Sequence, residues 1–398
     1  MATNQLFNYS VIQSLSEQYF EDTVAIRRHL HQYPELSGQE FKTAEFIAQT
    51  LKSYGIEPKM YLNNTAVVAI IEGKKTSDKV IALRADTDAL PVEENNNLDY
   101  RSVNKGVMHA CGHDVHTASL LTTARILQNL KEEWAGTVKL IFQPAEEELP
   151  GGAIRLIEAG VLENPKVDAI LGMHVSPGIK TGKIGMKSGD YMASSDEIFI
   201  TVTGKGGHAA IPKAFINPLL IASEMLLQLD KLHREQMPDN KPSVLTFGRI
   251  IGEGKTNIVP NEVYLEGTLR TFDEAQREKM HQLIADKANS IAKEMGGQAQ
   301  ICIKKGYHVL TNNETLTSKV FTLSQDILGE SNVISLDYRM TAEDFAYYAR
   351  LVPAVFYRLG TEIEGNSTNN SHSPEFLVNE EAMRMSPAVM GCLAVGVL

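Results

Sequence analysis

The chain has 398 residues, 43% hydrophobic and 22% charged, a composition ordinary for a globular protein that buries full cores in two or three domains. Its 38 basic and 49 acidic side chains leave a net charge of −11, which excludes nucleic acid or an anionic membrane as a general partner. Cys111, Cys302 and Cys392 are too few and too scattered for a disulfide framework, and MATNQLFNYSVIQSL lacks a signal-peptide pattern. No apolar run reaches the ~18 residues of a membrane span, so a cytoplasmic protein is expected.

In chain order, residues 15–31 and 40–55 read as helices, the second stopped by Gly55. AVVAIIEG (66–73) and VIALRAD (80–86) are short β-branched runs that predict buried strands. Behind MHACGHDVH (108–116), Leu120, Leu121, Ala124 and Leu127 recur at helical spacing. VKLIFQPA (138–145) predicts a strand, RLIEAGVL (155–162) a helix and DAILGMHV (168–175) another strand. Such alternation predicts an α/β fold with a mostly parallel sheet.

The middle of the chain reads differently. IFITVTG (198–204) predicts a strand, 217–233 a helix, 243–252 and 262–272 two strands, 273–297 a long helix and QAQICIK (298–304) a last strand. The order β-α-β-β-α-β is that of a ferredoxin-like α+β unit. It predicts a domain at 189–305 inserted into a first domain made of 1–188 and 306–398. Thereafter a helix is expected near 314–329, a strand at 332–336, a helix from Ala342, a strand at 352–360 and a terminal helix from Asn379. GNSTNNS (365–371) reads as a polar loop.

Residues able to bind metal follow the first-half strands. Asp86 and Asp88 come after VIALR, Cys111 and His113 precede a helix, Glu146, Glu147 and Glu148 follow VKLIFQPA, and His174 ends DAILGM. In open α/β sheets, ligands gather beyond the carboxyl ends of strands, so these four stretches converge on one edge. Each alone has a plain structural reading: a packed cysteine, a satisfied histidine, a solvated acidic turn. A structural zinc site would need paired local ligands and a redox site C-x-x-C, and both are absent. A thiolate with imidazoles and carboxylates suits zinc, manganese or cobalt, and more than four candidates suggest two ions. Asp88 is a candidate for orienting a ligand. Asn257 and Arg270 are candidates for holding a substrate carboxylate.

The pieces RRHLHQYPELSGQE (27–40), LRADTDALPVEE (83–94), MHACGHDVHTASLL (108–121), FQPAEE (142–147), GMHV (172–175), GKGGHAAIP (204–212), NIVPNEV (257–263), GTLRTFD (267–273), MTAEDFAYY (340–348) and SHSPEF (371–376) occur in this order across nearly the whole chain. Together they resemble the M20 metallopeptidase family in its amidohydrolase branch. That branch holds N-acyl-amino-acid amidohydrolases, hippurate hydrolases and indole-acetyl-amino-acid hydrolases. The resemblance implies a metal-dependent hydrolase with two divalent ions, zinc or manganese with cobalt or nickel as alternatives, held by Cys111, His113, Glu147, His174 and His372. It implies Glu146 as general base and His208 as the group that polarises the scissile carbonyl. The inserted domain would act as lid and as the contact of a homodimer or higher homo-oligomer. The expected substrate is an N-acyl amino acid or short peptide. The alternatives are a dipeptidase or aminopeptidase of the same family, or a non-catalytic binding protein that keeps the fold. ELPGG after FQPAEE, and Lys213 and Asn217 near GGHAAIP, depart from the family pattern at what would be the substrate rim.

Overall fold

The computed structural model describes residues 9–237, 240–365 and 370–398, so 366–369 of the polar GNSTNNS loop and the first eight residues lie outside the described residues. By contact, the chain divides into two units: one of residues 1–189, 311–337 and 344–398, the other of residues 190–310 and 338–343.

The first unit begins with helices α1 (Tyr9–Gln18), α2 (Phe20–Gln32) and α3 (Phe41–Ser53). A single residue, Tyr19, separates the two helices that the sequence predicts as one. Gly55, in the left-handed region at φ 74°, ends the turn after α3. Strands β1 (Pro58–Tyr61), β2 (Ala66–Glu72) and β3 (Lys75–Asp86) follow, then α4 (His113–Asn129), β4 (Ala135–Gln143), α5 (Gly152–Glu158), β5 (Ala169–Ser176) and β6 (Ile184–Met186). Strand β7 (Gly189–Met192) leads into the second unit.

That unit holds β8 (Asp196–Thr203), β9 (Gly207–His208), α6 (Pro218–Gln236), β10 (Val244–Ile251), β11 (Ile258–Val259), β12 (Glu262–Arg270), α7 (Glu274–Glu294) and β13 (Gln298–Lys305). The chain returns through β14 (Leu310–Asn312) to α8 (Glu314–Leu328), β15 (Val333–Ser335), α9 (Ala346–Ala349), β16 (Ala354–Gly360) and α10 (Ser386–Val397). The helix predicted from Ala342 is therefore confined to one turn, closed by the Val352-Pro353 step. A 3-10 turn at Glu380–Arg384, capped by Asn379, precedes the terminal helix.

In the first unit eight of the described strands form one sheet in the order β1-β2-β4-β3-β5-β16-β6-β15. Its centre, β4-β3-β5-β16, is parallel, and antiparallel pairings bring in β1, β2 and β6 at the flanks. Every residue of β5 and β16 is buried, as expected of parallel strands covered on both faces. The shared direction of β3, β4 and β5 brings their carboxyl ends to one edge.

The second unit has a four-stranded antiparallel sheet in the order β10-β12-β8-β13. Alternate residues of β8 (Ile198, Ile200 and Val202) are buried against Met225 and Leu229 of α6 and Met280, Ile284 and Ala288 of α7. Asp196, at the head of β8, pairs with Arg277 at 2.6 Å and His281 at 2.7 Å, so α7 is fixed to the sheet by charge as well as by packing. No described helix is long and apolar enough to cross a membrane.

Candidate metal centre

The loop between β3 and α4 is set by a glycine. Gly112 stands at the N-cap of α4 with φ 87°, and a Cβ there would lie 2.5 Å from Val175 Cγ2. Only glycine accepts both the left-handed backbone and that approach. The turn therefore seats Cys111 and His113 directly on β5, which brings Cys111 Sγ to 3.3 Å from His174 Nε2.

Hydrogen bonds fix which nitrogen of each imidazole stays open. His113 Nδ1 faces two acceptors, Asp88 O at 2.9 Å and Asp88 Oδ1 at 3.2 Å, so it donates there and Nε2 is the nitrogen left for the cluster. That Nε2 is buried without a hydrogen-bond partner. His174 Nδ1 donates to Val175 O at 2.7 Å, which leaves its Nε2 turned to Cys111. His116 is different: its Nε2 accepts from Val175 N at 2.9 Å and its Nδ1 bonds Asp86. Both its nitrogens are consumed, so the close group Asp86, His113 and His116 is a support with no open valence at His116.

The second half of the centre comes from β4 and the far end of the chain. Ala145 takes φ 54°, and beyond it Glu146 is buried while Glu147 is partly buried and Glu148 exposed. His372, also left-handed at φ 67°, is pinned by its N–H to Ala110 O at 2.7 Å and reaches Glu147 Oε1 at 3.1 Å. Among the described residues five triads have ligating atoms within 4.8 Å of one another, and three of them are Cys111–His113–His174, Cys111–Glu147–His372 and His113–Glu146–Glu147. They overlap through Cys111, His113 and Glu147, so the five expected ligands and Glu146 form one cluster.

Electrostatics of the cluster fit divalent cations. Burial, with the Glu147 charge, pushes the Cys111 thiol up to about 12, so a thiolate needs a cation beside it. Burial also holds His174 well below its ordinary value, which keeps it neutral. The adjacent Glu147 carboxylate raises His372. Asp88 would be raised by burial, but hydrogen bonds from His113, the Glu147 amide and Ser37 hold it below the usual carboxylate range.

In the second unit, β9 pairs with β11 through Ile258 and His208, and Ala209 N bonds Asn257 O, so His208 and Asn257 are neighbours on one exposed ribbon. His208 Nδ1 accepts from Ala210 N at 3.1 Å, so its other nitrogen carries the proton and can donate. Arg270 ends β12, and its Nη1 is buried without a hydrogen-bond partner. Asn217 caps α6 by accepting from Leu219 N at 3.0 Å.

Several supporting residues carry no local sequence signal. Arg84 is fully buried and donates to Gln143 at 3.0 Å, Asp86 at 2.6 Å and Asp344 at 2.8 Å, tying β3 to β4 and to the segment before α9. Asp114 pairs with Arg27 at 2.7 Å and His31 at 2.8 Å, anchoring the first turn of α4 to α2. His109 is buried with neither ring nitrogen hydrogen-bonded, and burial pushes it down to about 4.

A parallel sheet edge that gathers one thiol, three imidazoles and two carboxylates is the signature of a metallohydrolase. The chain belongs to Peptidase family M20/M25/M40, whose description matches residues 82–394. It is thus a hydrolase acting on amide or peptide bonds, and the reading as a non-catalytic binding protein falls away. It is 38% identical over 360 residues to the N-acetyl-L-cysteine deacetylase of Bacillus subtilis (strain 168), covering 90% of this chain and 84% of that protein. It is 36% identical to thermostable carboxypeptidase 1 of Saccharolobus solfataricus, covering 94% of each. The crystal structure of the Bacillus subtilis YXEP protein, described as a dinuclear metal binding peptidase of this family, superposes with a TM-score of 0.82 at 34% identity. That superposition covers 96% of this chain and 99% of the other.

Proposed function

We propose that the protein hydrolyses the amide bond of N-acyl amino acids, with Glu146 as general base. The observation that carries this is the group of Glu146, Glu147 and His113, whose ligating atoms lie within 4.8 Å of one another at the carboxyl end of β4. Cys111, His113, Glu147, His174 and His372 would hold two divalent ions, zinc or manganese. Bound there, the ions would supply Lewis acidity to the amide carbonyl and to a water.

The remaining work falls to the chain's own groups. Successive side chains diverge, so Glu147 can bind while the buried Glu146 faces the water. Glu146 takes the water's proton, the oxygen attacks the carbonyl carbon, and Glu146 returns the proton to the nitrogen as the C–N bond breaks. His208, protonated on the nitrogen not used by Ala210, would donate to the oxyanion. Asn257 and Arg270 would receive the substrate carboxylate, and Arg270's unpartnered Nη1 supports this.

We further propose that the second unit is a ferredoxin-like lid that carries a homodimer contact, in a cytoplasmic enzyme. Its strand order and two helices suit that fold. Leu220 and Leu227 on α6 and Ile250 on β10, each at least half exposed, supply apolar surface for the contact.

A likeness to a carboxypeptidase favours one second reading, cleavage of peptides with a free carboxyl end. Assays with zinc or manganese over N-acetyl, benzoyl and indole-acetyl amino acids and over dipeptides separate the two. Turnover of dipeptides alone would replace the first reading with the second.

A further inference from the structure

Glu40 lies outside every group of metal-binding side chains, yet it is fully buried at the approach to α3. Its carboxyl caps nothing in that helix, because the cap is supplied by Glu35, whose Oε2 accepts from Thr43 N at 2.8 Å. Glu40 Oε1 instead reaches across 105 residues to accept from Ala145 N at 2.8 Å, and it also accepts from Gly38 N at 2.9 Å.

Ala145 is the left-handed residue directly before Glu146. An L-residue adopts that conformation only where its surroundings impose it. Here the imposition comes from both sides. Glu40 takes the Ala145 N–H, and Gly152 N donates to Ala145 O at 2.8 Å. Gly152 can do so because it has no Cβ, which would fall 1.8 Å from Pro144 O. Two residues on, Asp88 Oδ2 accepts from Glu147 N at 3.0 Å.

We propose that Glu40 is a positioning residue for the reaction: its carboxyl clamps the Ala145 amide and so sets the turn from which Glu146 and Glu147 diverge. The inference rests on the reading of Glu146 as base and Glu147 as metal ligand. One oxygen performs the clamp, since Oε2 is buried without a hydrogen-bond partner. Burial and the Asp88 charge raise the Glu40 carboxyl to about 8. An amide of the same length keeps the one oxygen that accepts from Ala145 N and Gly38 N, whereas a shorter acid cannot reach Ala145.

The test compares Glu40→Gln, Glu40→Asp and Glu40→Ala, with Glu146→Gln as control. Two readouts are taken: kcat and KM with an N-acetyl amino acid, and calorimetric titration of the chelated proteins with Mn²⁺. Glu40→Gln should stay within about 3-fold of wild type in both, while Glu40→Asp and Glu40→Ala should lose about 10–100-fold in kcat and in Mn²⁺ affinity, with KM little changed. The inference is overturned if Glu40→Asp keeps wild-type kcat and Mn²⁺ affinity, or if Glu40→Gln is as impaired as Glu40→Asp. An active Glu146→Gln would sink the base assignment separately, and the Mn²⁺ titration would still decide the role of Glu40.

Discussion

The Glu147 amide donates to Asp88 Oδ2 at 3.0 Å, while Asp88 Oδ1 faces His113 Nδ1 at 3.2 Å. One carboxylate thus orients two of the proposed ligands, one through its ring and the other through its backbone. Asp88→Asn keeps the volume but turns an N–H either toward His113 or toward the Glu147 amide and Ser37. Metal affinity or kcat should fall about 10–100-fold, read by Zn²⁺ titration and turnover. An asparagine variant equal to wild type would leave Asp88 without an orienting role.

Glu146 and Glu147 are adjacent but differently placed, the first buried and the second paired with His372. Glu146→Gln should leave the metal content intact and lower kcat about 10²–10⁴-fold. Glu147→Gln should instead weaken metal binding. Elemental analysis beside turnover separates the two effects, and equal metal loss in both would undo the division of labour.

His116 and His113 are both buried imidazoles on one turn of α4, yet only His113 keeps an open nitrogen. Replacing each by alanine should therefore cost more metal affinity at 113 than at 116, where the loss is of hydrogen-bonded support. Competition titration against a chelator measures this. Equal losses would place His116 among the ligands.

Glu274 offers a pH test in the second unit. Burial alone would raise its carboxyl, but His308, the Val309 amide and Arg277 lower it to about 2. The folded value lies below the ordinary carboxylate range, so its stabilisation is complete above about pH 4.5 and is lost as pH falls toward the folded value. The difference in melting temperature between wild type and Glu274→Gln should be widest at about pH 6 and narrow below about pH 4. Calorimetry across that range would show a constant gap if the ion pairs contributed nothing.

Much of this architecture is legible in the sequence because its signals are periodic or dense. The runs VIALRAD and AILGMHV are buried from end to end, and such strands announce themselves. The ligand types after them follow from the carboxyl-edge geometry of parallel sheets. His372 is legible only through resemblance, because its place depends on a left-handed turn held by Ala110 from 262 positions away. Glu40, Arg84 and Asp344 are ionisable residues buried by partners distant in sequence, and no local pattern marks such a pairing. The helix expected from Ala342 fails for a related reason. Asp344 takes part in the buried Arg84–Gln143 network, and Pro353 closes the segment, leaving a single turn at Ala346–Ala349.

A metal centre in the first unit is proposed to hydrolyse N-acyl amino acids. Its most direct test is turnover of an N-acetyl amino acid before chelation, after chelation, and after addition of zinc or manganese, with bound metal measured at each stage. Activity should disappear with the metal and return as about two ions per chain are restored. Full activity in metal-free protein would contradict it.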